Sequence, residues 1–208
     1  MATRAEQIRS IVDRFDLNRH PFYTAWREGT LPMEMLSRYA VEYGELVGTI
    51  PAAWEALGSR EYAAEERYHH SLWEKFAAEV HSGTEEPWTG AGETPLSVTA
   101  RCLFGDARPE ALGALYAFEV QQPVTSRVKL DGLKDHYRLG VEAQEYFEEH
   151  ADKWHEVEDL DRELNSLTDA EFERAKTAAA VMAGAMWLGL DRIWYSGADL
   201  PSAPTARA

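Results

Sequence analysis

The run AAAVMAGAMWLGL, residues 178–190, is apolar almost all the way round a helix. A helix without a polar face needs other helices around it, so this run points to an all-α bundle with a buried central member. It belongs to a last helix, from about residue 169 to 195, that begins with the capping-box pattern TDAE. The rest of the chain supplies the partners. Ile8, Ile11, Val12 and Phe15 fall at helical spacing, and DLNRHP closes that first helix. PFYTAWREG is a short helix ended by Gly29, and LPMEMLSRYAVEYGELVGTIPAAWEALGS is a long one, opened at Pro32 and kinked at Pro51. EYAAEERYHHSLWEKFAAEV follows as a fourth helix, then a loop over residues 81–93. Thr94 caps a fifth helix, TPLSVTARCLF, and the sixth, RPEALGALYAFEVQQPVTSRVKLDGLKDHY, carries an internal Pro123. A seventh holds YFEEHADKWHEVED, residues 146–159. No segment has the period of a strand and none repeats. The expectation is a single all-α domain of about eight helices over residues 1–198, with a flexible tail over 199–208.

Bulk properties narrow the function. A formal net charge of -15 disfavours nucleic acid and anionic membrane surfaces, both of which need clustered Lys and Arg. One cysteine, Cys102, rules out an internal disulfide and fits a reducing compartment. No stretch approaches the 18 apolar residues of a membrane span, and the N-terminal helix has mixed charge, unlike a signal peptide. A cytoplasmic, soluble protein is the expectation from these properties.

Metal-ligating residues recur at helical spacing. In the fourth helix Glu65 and His69 lie four apart, as do Glu66 and His70, while Glu66 and His69 lie three apart. Such pairs can chelate an ion or merely decorate a solvated face. Glu119 sits among Leu115, Tyr116, Phe118 and Val120, where a carboxylate is expensive unless paired, for instance with Arg127, or bound to metal. On a continuous seventh helix, steps of 100° bring Glu148, Asp152 and His155 to one face, with His150 and Trp154 well off it. Facing helices supply ligands in this way to the di-iron sites of bundles.

Several segments carry a resemblance. NRHPFYTAWREGTLPMEMLSRYAVEYGELVGTIP, HHSLWEKFAAEV, ALYAFEVQQPVTSRVKLDGLKDHY and YFEEH resemble, in order, segments of the family that includes TenA, PqqC and CADD, the heme-oxygenase-like helical fold. The similarity spans most of residues 7–195, and its most specific part is Tyr-x-x-Glu-x-Gln-x-Pro followed by Lys-x-x-Gly-Leu. It implies a bundle of seven or eight helices, often a homodimer, around a polar cavity. Family members are TenA-like hydrolases with a catalytic Cys, PqqC-like oxidases that use O2 without metal, or CADD-like oxidases holding two irons. Cys102 does not stand at the TenA position.

The di-iron branch implies two Fe ions with O2 as co-substrate, and a small amino-acid-like or aromatic substrate. By resemblance His69 is its first His, Glu65 the partner carboxylate and Glu119 the sixth-helix ligand. The chain departs from that branch in two places. The fourth-helix Glu and His are four apart rather than seven. The seventh-helix pattern His-x3-Asp-x2-His aligns either on His150, leaving Trp154 and Val157 at the other positions, or on DKWH, which selects Glu148, Asp152 and His155 and is preferred. Tyr23, Tyr39, Tyr43 and Lys129 match positions of the CADD-like subgroup, which is associated with making 4-aminobenzoate from a tyrosine of the protein itself. Tyr23, Tyr43 and Lys129 are therefore the candidate catalytic residues, set against core packing for Tyr23 and a surface charge for Lys129. Phe118 stands where that subgroup has a Tyr. A non-catalytic protein whose acidic helix is a partner surface is the alternative of a different class.

Overall fold

A computed structural model describes residues 2–90 and 92–196, which are helical almost throughout and contain no strand. The helices are α1 Arg4–Val12, α2 Pro21–Arg27, α3 Met33–Glu42, α4 Gly44–Val47, α5 Ile50–Ala56, α6 Arg60–Ser82, α7 Pro95–Gly105, α8 Arg108–Glu119, α9 Gln122–His136, α10 Glu145–His150, α11 His155–Ser166 and α12 Asp169–Ser196. Their starts follow local chemistry. Thr3 and Thr94 close capping boxes on α1 and α7, and the Ser59 hydroxyl accepts from Tyr62 N at the start of α6. Thr168 and Glu171 exchange bonds at the start of α12, as TDAE predicts. The tail expected at 199–208 lies outside the described residues.

The two long proline-containing helices are interrupted rather than bent. Pro51 and Pro123 each sit in the first turn of a new helix, α5 and α9, where a missing N–H costs nothing. Interruption matters at Val120–Gln121, because it leaves Glu119 as the last residue of α8.

The buried central rod is α8, in which every residue from Ala111 to Glu119 is buried. It runs along α12 at a separation so close that a Cβ at Gly113 would overlap the Ala175 carbonyl. α12 is correspondingly not the enclosed element its sequence predicts. Ala175, Ala179, Met182, Met186 and Leu190 face the core, while Val181 and Leu188 are 47% and 66% exposed. Apolar residues all round a helix do not fix which side meets solvent. Against the far side of the core pack α2, α3, α6, α9 and α10, and all of these but α9 contribute to an aromatic cluster of Phe22, Tyr23, Trp26, Tyr39, Trp73 and Phe147. No helix among the described residues is long and apolar enough to cross a membrane.

Candidate metal centre

The seventh helix of the sequence reading is two helices. After His150 the chain leaves helical geometry at Ala151 (ψ 123°), and Asp152 adopts φ 61°, the one non-glycine residue with positive φ among those described. The Asp152 N–H donates to the Pro123 carbonyl at 3.3 Å and Arg127 Nε donates to Asp152 Oδ2 at 2.9 Å, so the break is tied to α9. Steps of 100° cannot be counted across it. The face expected of Glu148, Asp152 and His155 therefore does not exist. Glu148 points outward and accepts from Lys134 Nζ at 2.9 Å, and Asp152 is exposed beside Arg127.

The break turns other side chains inward. Glu66, His69 and His150, all buried, bring one ligand atom each to within 4.8 Å of one another. His69 Nδ1 and Glu66 Oε1 are 2.8 Å apart, and the His69 and His150 rings meet at 4.4 Å. His150 Nδ1 donates to the Tyr146 carbonyl at 2.7 Å, which leaves Nε2 as the unprotonated nitrogen of a neutral ring. That Nε2 and Glu66 Oε2 are buried without a hydrogen-bond partner. Burial, followed by the charge of His69, lowers the His150 pKa to about 3. Burial pulls the His69 pKa down as well, but its bond to Glu66 and the surrounding carboxylates more than offset this and raise it.

A second group adjoins the first. Glu65, His155 and Glu156 also gather to within 4.8 Å, with His155 exposed and Glu156 buried. His155 Nε2 lies 3.2 Å from Glu156 and 3.7 Å from Glu65. Glu119, buried at the end of α8, lies where the carboxylates of both groups act on it. Burial, then the charges of Glu66, Glu156 and Glu65, push its carboxyl well above the usual range, while Trp54 Nε1 donates to its Oε1 at 3.3 Å. No Lys or Arg pairs with Glu65, Glu66, Glu119 or Glu156 among the described residues.

The three buried carboxylates, Glu66, Glu119 and Glu156, have no Lys or Arg beside them and are costly to keep as free anions. Carboxylate and imidazole together suit iron, and Glu66-x-x-His69 is the Glu-x-x-His element that bundle sites place on one helix. The two unpartnered atoms are lone pairs of the kind a cation takes up. The residues fit a metal.

Of the ligands expected from sequence, Glu65, His69, Glu119 and His155 come together here, and Glu148 and Asp152 do not. Glu66 and His150, which the sequence leaves as alternatives, stand at the centre. Glu156 carries no signal of its own in so acidic a stretch.

The candidate catalytic residues form an adjoining cluster. The Tyr23 and Tyr39 hydroxyls are 2.8 Å apart, and Lys129 Nζ lies 3.5 Å from the Tyr39 hydroxyl. The same Nζ lies 5.2 Å from the ring centres of Tyr23 and Phe147 and 5.9 Å from that of Tyr43. Lys129 is 1% exposed, so it is not a surface charge, and burial alone lowers its pKa to about 7. Tyr43 stacks on Tyr39 and sets its hydroxyl 3.8 Å from Met186 Sδ. Tyr146 joins this cluster to the acidic one, its ring 4.3 Å from that of His150.

Residues 35–190 match a protein family described as iron-containing redox enzyme. A 4-aminobenzoate synthase of Nitrosomonas europaea is 29% identical, the match covering 93% of this chain and 92% of the relative. One from Chlamydia muridarum is 27% identical over 70% of each chain. Among solved structures, a TenA homologue from Pseudomonas syringae pv. tomato superposes with a TM-score of 0.72 at 17% identity, covering 92% of this chain and 93% of the other. A CADD-like protein of unknown function from Nostoc punctiforme gives 0.56 at 18% identity, covering 91% and 98%. These last two show a shared all-α, heme-oxygenase-like fold.

Proposed function

The chain belongs to the family of iron-containing redox enzymes and is an oxidoreductase, and from that premise we propose a non-heme di-iron oxidase that draws an aromatic product from its own Tyr23 and Lys129. Glu66, His69 and His150 would hold one ion, Glu65, His155 and Glu156 the other, and Glu119, on which the carboxylates of both groups act, completes the set. Bound iron supplies the activation of O2, the co-substrate, which side chains alone cannot provide. The observation that carries the reading is the pair of unpartnered lone pairs, Glu66 Oε2 and His150 Nε2, inside a buried acidic cluster that no Lys or Arg among the described residues neutralises.

The chain prepares the rest. The Tyr146 carbonyl fixes the His150 tautomer, and Trp54 orients Glu119. Burial brings Lys129 to about 7, so much of it is a neutral amine at neutral pH, and it sits over the Tyr23 ring. The Tyr23 and Tyr39 hydroxyls share a hydrogen bond at 2.8 Å, and a proton leaving Tyr23 can reach the neutral amine of Lys129, 3.5 Å from the Tyr39 hydroxyl, as Tyr39 gives up its own. A phenol ring and a free amine in a dry pocket are the pieces of 4-aminobenzoate, the product in the name of the relatives in Nitrosomonas europaea and Chlamydia muridarum.

Anaerobic addition of Fe(II) with metal quantification tests the reading. Uptake of one iron for each of the two groups is expected, abolished in His150→Ala and weakened in Glu119→Ala. A chain that takes up no iron ends the proposal. Ring-labelled tyrosine should appear in a small aromatic product after exposure to O2, and that label should be lost in Tyr23→Phe.

A further inference from the structure

Trp54, on α5, touches the acidic cluster through its bond to Glu119 and is buried. Beside it is Tyr62 of α6, whose ring centre lies 4.4 Å away and also 5.9 Å from that of His155. Tyr62 is half-buried, and its hydroxyl donates to Asp159 Oδ2 of α11 at 2.8 Å. A ligand carboxylate, an indole, a phenol and an outer carboxylate are thus in successive contact, and the phenol also adjoins the candidate ligand His155. The inner tyrosines give no such exit, since Tyr23, Tyr39, Tyr43 and Tyr146 are all buried.

We propose that Trp54 and Tyr62 form an electron-transfer route between the metal centre and the surface, with Asp159 as the proton acceptor for Tyr62. The proposal rests on the iron reading. From O2, bound iron would supply a strong one-electron oxidant. Trp54 gives it one electron and takes one from Tyr62. Tyr62 releases its hydroxyl proton to the Asp159 carboxylate and becomes a neutral tyrosyl radical. A one-electron reductant in solvent restores it, and the proton returns from Asp159. The acceptor is needed because a phenol that loses an electron also loses its hydroxyl proton, and Asp159 Oδ2 is the atom to which that hydroxyl already donates at 2.8 Å. A tyrosine that only packs on Trp54 needs neither the carboxylate nor an edge in water.

The full chain, loaded with Fe(II) and mixed with O2 without reductant, is frozen at intervals for electron paramagnetic resonance. The expected signal is a tyrosyl radical, narrowed by ring-deuterated tyrosine, discharged by ascorbate, and lost in Tyr62→Phe at unchanged iron content. Phe at 62 keeps the ring contact, so folding and metal uptake are preserved. Trp54→Phe and Asp159→Asn should each slow its appearance several-fold. A signal indifferent to Tyr62→Phe, or no radical in iron-loaded wild type, overturns the route and leaves the iron reading standing. Absence of iron uptake removes both.

Discussion

Lys129 is the residue whose surroundings oppose its ordinary state most strongly. Its ammonium has no carboxylate partner, only the Tyr39 hydroxyl at 3.5 Å and the faces of three aromatic rings. In the folded chain it releases its proton near pH 7, whereas in the unfolded chain it does so near the ordinary lysine value of 10.5. Between those values the unfolded state binds more protons, so this residue makes stability rise with pH across that window. The cost of burying its charge is fully present below pH 7 and relieved above it, and its full size is on the order of 4–5 kcal/mol. Lys129→Met should therefore be the more stable protein at neutral pH, with wild type closing the gap as the pH approaches 10. Urea denaturation of both proteins at several pH values measures this, and parallel curves would refute it. Methionine at this position should also abolish product formation, making the lysine a stability cost retained for chemistry.

At the scale of elements, the decisive feature is the break over residues 151–154. Glu148→Gln and Asp152→Asn should leave iron uptake unchanged, because both side chains point to solvent beside Lys134 and Arg127. Glu66→Ala should abolish it. Loss of iron in Asp152→Asn with retention in Glu66→Ala would instead favour a continuous helix. This break explains what the sequence could and could not reveal. Helix identity was legible from period and caps, as at Thr94 and Thr168, whereas between Glu65 and Glu66 the resemblance selected Glu65 as the partner of His69. The turn at Asp152 was not, since no glycine or proline marks it and its support comes from Pro123 and Arg127, some 25 to 30 positions away. A helical wheel drawn through it favours the outward Glu148 over the inward His150. The α8–α12 contact makes a second prediction at this scale. Gly113→Ala forces backbone apart at Ala175 and should destabilise by roughly 1–3 kcal/mol in denaturant melts, even though alanine is the better helix former.

Taken whole, the molecule is four segments, α6, α8, α10 and α11, whose acidic and imidazole groups meet only when the bundle closes. Without a cation, Glu119 is protonated in the folded state at pH values where the unfolded chain has lost that proton, because its folded pKa is raised. The folded state then holds the extra proton. Glu119 makes metal-free stability decline as pH rises above about 4.5, towards the raised folded value. A bound cation takes the proton's place and removes that decline. Glu119→Gln should thus act with opposite signs in the two states. Metal-free, it eliminates a carboxylate buried among three others and should stabilise by roughly 1–4 kcal/mol at neutral pH. With Co(II) at a hundredfold excess over its dissociation constant, wild type should gain about 2.7 kcal/mol, and the variant far less. Thermal melts in chelator and in Co(II) give all four values. If glutamine weakens the metal-free protein and the metal stabilises both chains equally, the acidic cluster is a packing feature and iron binds elsewhere. Crossing of the two effects is the signature of a site whose carboxylates are kept, against folding stability, for the cation they bind.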